Sequence, residues 1–80
     1  MGVAYKSTLV NHNITNPDGS RTSVRLEPEF WNALDEICRR QRRTRSQIAA
    51  DAQLAFKDHP RTSAIRTYLF VFFHALAKDS

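Results

Sequence analysis

Arg21, Ser23 and Arg25 occupy every second position of the hexapeptide Arg21-Thr22-Ser23-Val24-Arg25-Leu26. Side chains of an extended strand point alternately to its two faces. This spacing therefore gathers two guanidinium groups and a hydroxyl on one side, and Thr22, Val24 and Leu26 on the other. The polar side is a row of hydrogen-bond donors suited to phosphate oxygens and to the edges of nucleobases. Arginine can hold guanine through two parallel bonds, and serine can contact several bases. The apolar side suits a protein core. Alternation of this kind also marks ordinary edge strands, so the order of the neighbouring elements has to distinguish the two.

A second group of cations lies further on. Arg39, Arg40, Arg42, Arg43 and Arg45 supply five of the twelve basic residues in a chain of 80 with a formal net charge of +4. The sequence pI of about 9.8 favours a polyanionic partner. Arg39 and Arg40 fall near the C-terminus of a predicted helix, where they offset its negative dipole end. Arg43 and Arg45 are the stronger candidates for the sugar-phosphate backbone, a contact that adds affinity without sequence information.

Other chemistries lack their residues. Cys38 is the only cysteine and lies in an apolar helical pattern, so it reads as a core thiol and no disulfide can form. His12, His59 and His74 have no second ligand at a recognised spacing, which argues against a zinc site. With no acid–base pair, nucleophile–base pair or glycine-rich phosphate loop, neither an enzyme nor a cofactor is expected. No basic-then-apolar leader opens the chain, and the apolar run near the C-terminus is shorter than the roughly 20 residues that span a bilayer. The expectation is a cytoplasmic, nucleoid-associated protein without membrane contact.

The elements that must position these residues follow from pattern and punctuation. Residues 1–6 carry no mark of a packed element and are expected to fray. Residues 7–15 contain Leu9, Val10 and Ile14 among threonines and asparagines, and Asn16-Pro17-Asp18-Gly19 is a strong turn signal. Two readings stand here: an additional strand hairpinned to the next one, or an arm with a local turn. Residues 1–19 are accordingly assigned as an N-terminal arm or extra strand and turn, ahead of a domain over 20–77. That domain comprises a strand at 20–26 and helices at 28–41, 45–57 and 62–77.

Pro28 at the helix start, flanked by Glu27 and Glu29, opens the first helix. Its apolar stripe is Phe30, Leu34, Ile37 and Cys38, with Trp31 and Ala33 beside it as core or rim. Thr44 and Gln47 form a capping box for the second helix, whose apolar face is Ile48, Ala49, Ala52, Ala55 and Phe56; Asp58-His59-Pro60 ends it. Thr62 or Ser63 caps the third. There Ile65, Leu69, Phe72, Phe73 and Leu76 recur at helical intervals, while Tyr68, Phe70, Val71 and Ala75 spread apolar surface around the circumference. Length and caps favour a helix over a strand, and its all-round apolarity is expected to be buried in a dimer core.

A strand with polar residues at alternate positions, a helix, and a second helix with a Thr cap: this order resembles the ribbon-helix-helix (Arc/MetJ-type) family of bacterial DNA-binding proteins. Arg21-Thr22-Ser23-Val24-Arg25-Leu26 matches the ribbon; Phe30, Leu34 and Ile37 match the first helix. Arg43-Thr44-Arg45-Ser46-Gln47-Ile48 matches the start of the second. The phrase running on through Glu27-Pro28-Glu29-Phe30-Trp31, with Ser63-Ala64-Ile65-Arg66, looks like a subgroup of short bacterial members with an extra C-terminal helical segment. The resemblance implies an α+β, mostly α fold: an intertwined homodimer whose two chains pair their strands into one antiparallel ribbon, here with a third helix. It implies base contacts from Arg21, Ser23 and Arg25, and phosphate contacts at Arg43, Thr44, Arg45 and Ser46, where backbone N–H groups meet a phosphate. One departure is plain: the glycine usual between the two helices is replaced by Arg42 or its neighbour, so a differently shaped turn is expected.

The function expected is that of a sequence-specific DNA-binding transcriptional regulator, most simply a repressor, acting as a homodimer on double-stranded DNA. The competing reading is an antitoxin-like or adaptor protein whose apolar C-terminal helix binds another protein.

Overall fold

The computed structural model describes residues 8–79. The fraying expected for residues 1–6 lies outside them. Two strands, β1 (Val10–Thr15) and β2 (Arg21–Leu26), are followed by three helices, α1 (Pro28–Gln41), α2 (Arg45–Ala55) and α3 (Arg61–Asp79).

β1 and β2 form an antiparallel hairpin in which Val10 faces Leu26, His12 faces Val24 and Ile14 faces Thr22. Of the two readings left open for residues 7–15, the strand is the one observed. The turn chemistry explains it. Gly19 N–H donates to Asn16 C=O at 2.9 Å, Asn16 N–H donates to Ser20 C=O at 2.7 Å, and Gly19 takes a φ of +92°. This is the three-residue hairpin loop that needs a positive φ at its last position. Asp18 Oδ1 accepts from both the backbone N–H and the hydroxyl of Ser20, which holds its carboxyl below the usual range.

Inward-facing residues of both strands meet the helices. Ile14, Val24, Leu26, Trp31, Leu34, Ile37, Ile48, Ala49, Ala52, Ile65 and Leu69 form one buried cluster. Val24 is 2% exposed and Leu26 is 0% exposed within a single chain. This chain's own helices supply cover for the strand's apolar side.

In α1 the buried stripe is Trp31, Leu34 and Ile37, while Phe30, Ala33 and Cys38 lie partly buried around it. The helix is rotated slightly from the stripe read in sequence, because Trp31 is drawn inward. Its indole N–H donates to Val10 C=O at 2.9 Å, and its ring meets His12 edge-on with centroids 4.6 Å apart.

Arg42 ends α1 with φ 55° and ψ 49°, and Arg43 N–H reaches back to Cys38 C=O at 3.0 Å. This is the left-handed helix ending that glycine ordinarily supplies. The differently shaped turn expected from the missing glycine is thus corrected: Arg42 adopts the glycine-like conformation, against a steric preference of about 1–2 kcal/mol. Thr44 then caps α2 with both halves of the capping box formed, Gln47 N–H to Thr44 Oγ1 at 3.1 Å and Thr44 N–H to Gln47 Oε1 at 2.9 Å.

Several boundaries differ by one or two residues from those expected; β2 starts at Arg21 rather than at residue 20, and α3 runs on to Asp79 rather than to residue 77. α2 stops at Ala55 rather than at residue 57, and Ala55 is exposed; α3 starts at Arg61, directly after Pro60, so neither Thr62 nor Ser63 caps it. Proline suits a helix start because it has no N–H to leave unpaired, and Ala64 N–H donates to Pro60 C=O at 2.8 Å. Along α3 only Ala64, Ile65 and Leu69 are buried, whereas Phe70 is 66% and Val71 51% exposed. The all-round burial expected of this helix is not provided by one chain. Among the described residues no helix is long and apolar enough to cross a membrane.

Candidate nucleic-acid interface

The hairpin sets Arg21, Ser23 and Arg25 on its outer face, all exposed. The pleat places them there because Thr22, Val24 and Leu26 are held inward by Ile14 and the helices. Neither Arg21 nor Arg25 has an acidic partner among the ion pairs of the described residues. Ser23 donates its hydroxyl to Asn11 Oδ1 across the hairpin. The face is a solvated, cationic row of donors carried on a rigid ribbon.

The predicted phosphate residues are placed differently. Arg45 Nε and Nη2 make a two-pronged contact with Asp35 at 2.8 and 2.9 Å, and the guanidinium lies 4.8 Å from the Trp31 ring centroid. The Arg45 hydrogen bonds hold the Asp35 carboxyl below the usual range, and Asp35 raises Arg45 in turn. Arg43 pairs with Asp51, which raises its guanidinium. Arg39 and Arg40 both pair with Glu36, at 2.6 and 2.9 Å, and lower its carboxyl. Of the five arginines in the run, only Arg42 has no ion-pair partner among the described residues.

Thr44 and Ser46 hydroxyls are likewise engaged. Thr44 Oγ1 caps α2, and Ser46 Oγ accepts the Thr15 N–H at 3.0 Å. That second bond brings the start of α2 against the outer edge of β1. The first-turn amides of Arg45 and Ser46 have no intrahelical acceptor and carry the positive end of the helix dipole. The structure thus unites the predicted phosphate residues at one helix start beside the ribbon, but with their arginines neutralised.

Sequence reading left β1 open between a strand and an arm, and offered none of its residues for the site. Val10, His12 and Ile14 point inward, and Asn11, Asn13 and Thr15 point outward beside the β2 triplet. The same alternation is present in Val10-Asn11-His12-Asn13-Ile14-Thr15, but two asparagines lower its strand propensity and mask it. Cys38 is partly buried and its thiol is pushed up by burial, which suits packing rather than reactivity. Among the described residues no cluster of three His, Cys, Asp or Glu could hold a metal ion.

Across α1 and α3 runs a shallow apolar groove of about 590 Å³ lined by Phe30, Ala33, Leu69, Phe70 and Phe73. At one end Arg66 bonds Glu27 Oε1 through Nη2 at 2.7 Å and lies 5.6 Å from the Phe30 ring centroid.

No curated relative and no solved structure matches the chain significantly. A family model described as a ribbon-helix-helix domain matches residues 9–73, which takes in the hairpin, both following helices and most of α3. Members of that family are in general DNA-binding transcription regulators or antitoxins rather than enzymes. With most of its length matched, and a ribbon leading into two helices joined by a left-handed turn, the chain belongs to the ribbon-helix-helix domain family.

Proposed function

We propose that the protein is a sequence-specific DNA-binding transcriptional regulator, most simply a repressor, that places the outer face of its β-ribbon in the major groove. The observation that carries this reading is the contrast in pairing: Arg21 and Arg25 are exposed without acidic partners, whereas Arg39, Arg40, Arg43 and Arg45 are all ion-paired. A free guanidinium on a strand face can make the two-pronged contact to guanine, and that contact discriminates against other bases by about 1–3 kcal/mol. The start of α2, with Thr44, Arg45 and Ser46, then abuts the phosphate backbone through its amides, and Arg42 and Arg43 lie at the same turn. A homodimer acting on a repeated site, in the cytoplasm at the nucleoid, belongs to the same proposal.

Random-site selection with purified protein, followed by binding at two salt concentrations, tests it. An enriched motif whose discrimination collapses in Arg25→Ala supports the reading. A protein that enriches no sequence overturns it.

One observation favours a second reading. Phe70 and Val71 are exposed on α3 beside the apolar groove, a surface of the kind that binds another protein. In an antitoxin-like or adaptor protein, a stoichiometric partner would be lost in Phe70→Glu while DNA binding is retained.

A further inference from the structure

Ten residues of α3, from Tyr68 to Ala77, contain no Asp, Glu, Lys or Arg, yet of these only Leu69 is buried. Phe70, His74 and Ala77 are exposed at i, i+4 and i+7, so they share one ridge along the helix. The rings of Phe70 and His74 stack on it, with centroids 5.4 Å apart and planes at 13°. We infer that this ridge and its flanking grooves meet the same face of a second copy of the chain, in a contact separate from any pairing of ribbon strands. The inference rests on the homodimer included in the reading above and names a surface for self-association.

Shape favours a second copy first. The ridge stands between two apolar grooves, one of about 590 Å³ against Phe30 and Ala33 of α1, the other of about 280 Å³ against Ala55 and Phe56 of α2. Helices pack by setting the ridge of one into the groove of the next. A two-fold contact needs both parts on one surface, because each copy must receive what it inserts. This face carries both.

Charge points the same way. A two-fold axis sets each charge near its own twin, so a patch of one sign would repel itself. Among the described residues lining the two grooves, Arg66 is the only Lys, Arg, Asp or Glu, and Glu27 Oε1 accepts from it at 2.7 Å. The face is thus neutral on a chain whose formal net charge is +4. Two such chains approach with least repulsion at a face of this kind, whereas a charged partner finds no complement there.

Size sets the strength. Ten helical residues rise about 15 Å along a cylinder about 10 Å across, so with its groove walls each copy offers on the order of a few hundred Å². A stable interface takes about 800 Å² per partner. Alone the contact is therefore weak, and it gains where another contact already holds the same chains side by side. What affinity it has is concentrated in exposed apolar side chains, Phe70 at 66% and Val71 at 51%.

Two measurements on the full chain without DNA test it: sedimentation equilibrium from about 5 to 500 µM, and disulfide cross-linking. Phe70→Glu, with its fold established by a thermal melt, is expected to weaken self-association by about tenfold or more, since the contact would bury an unpaired carboxylate. In a Cys38→Ala background, Thr67→Cys, His74→Cys and Ala77→Cys are scanned for covalent dimers under mild oxidation. Equivalent residues beside a two-fold axis come within disulfide reach, about 4 Å between Cβ atoms. At least one of the three is expected to cross-link faster than Arg39→Cys, which lies nine residues beyond Phe30 and so on the opposite side of α1. Self-association unchanged in Phe70→Glu, or cross-linking no faster than in Arg39→Cys, overturns the inference and leaves other contacts between copies standing. A parent that is monomeric throughout removes the homodimer of the reading above, and this inference with it.

Discussion

β2 and the segment from Arg39 to Arg45 carry the same side chain, yet they differ in how it is paired. The segment is the denser in arginine, but four of its five guanidinium groups are paired with carboxylates, Arg39 and Arg40 sharing Glu36, Arg45 with Asp35 and Arg43 with Asp51. On β2 both arginines project from a pleated face whose β1 neighbours are Asn11, Asn13 and Thr15, none of them acidic. A helix turn brings i+3 and i+4 residues together and the α1–α2 junction brings Asp35 to Arg45, so cations there find carboxylates within reach. A short ribbon with a neutral partner strand offers none. Charge density along a chain is therefore a poor guide to which of its cations are free of carboxylate partners.

Substitution can break that contrast in steps of decreasing size. Replacing both Arg21 and Arg25 by Ala should weaken binding to a selected duplex by about 2–6 kcal/mol, from two base contacts of about 1–3 kcal/mol each, and should abolish discrimination against a scrambled duplex. Fluorescence anisotropy on the two duplexes measures this directly. If the double variant kept its selectivity, the ribbon face would not be the reading surface.

Arg45→Ala acts chiefly on the fold. Its pair with Asp35 is about one-third exposed and so is discounted for screening, and its place over Trp31 adds a cation–π contact. Together they predict a loss of about 1 kcal/mol in urea unfolding. Arg42→Gly should do the reverse. Relieving the left-handed conformation of an arginine is expected to stabilise by up to about 1 kcal/mol, less the added freedom of glycine when unfolded. The same variant removes the one unpaired cation of the run, so a rise in melting temperature with a shallower salt dependence of DNA binding would place Arg42 at a phosphate.

The smallest effect belongs to Arg39 and Arg40. Their joint replacement by Ala should leave the selected motif unchanged and lower its affinity only slightly at moderate salt, because both are exposed, share Glu36 and lie off the ribbon face. Acid provides a complementary probe. Asp35, Glu36 and Glu27 have folded-state pKa values depressed by arginine partners. Their contribution is therefore complete above the ordinary carboxylate range, near pH 4, and is lost as pH falls through the lowered values. Melts taken between about pH 5 and pH 2 should show this loss, and Asp35→Asn should flatten that limb.

Much of the fold was legible because its signals are local. The alternation at Arg21–Leu26, Pro28 at a helix start and the Thr44–Gln47 capping box each act within a few residues, and each appears as read. Trp31 was harder. Whether it lies in the core or at the rim depends on Val10, His12 and Arg45, which are distant in sequence. The left-handed Arg42 was hidden for a different reason: sequence preference points to glycine there, and only the surrounding turn holds an arginine in that conformation.

By itself the sequence determined the order of the helices, the two-faced character of β2, the proline that opens α1 and the capping box that opens α2, since dihedral preference and side-chain periodicity operate over one or two turns. Tertiary structure alone decided three things. It chose the hairpin over the arm, because burying Ile14 against the helices rewards β1 for pairing. It decided which arginines are free, because Coulombic partners are matters of distance in space rather than along the chain. It also set Asn11 and Asn13 beside Ser23 and Arg25, a juxtaposition that exists only once an antiparallel register has been fixed.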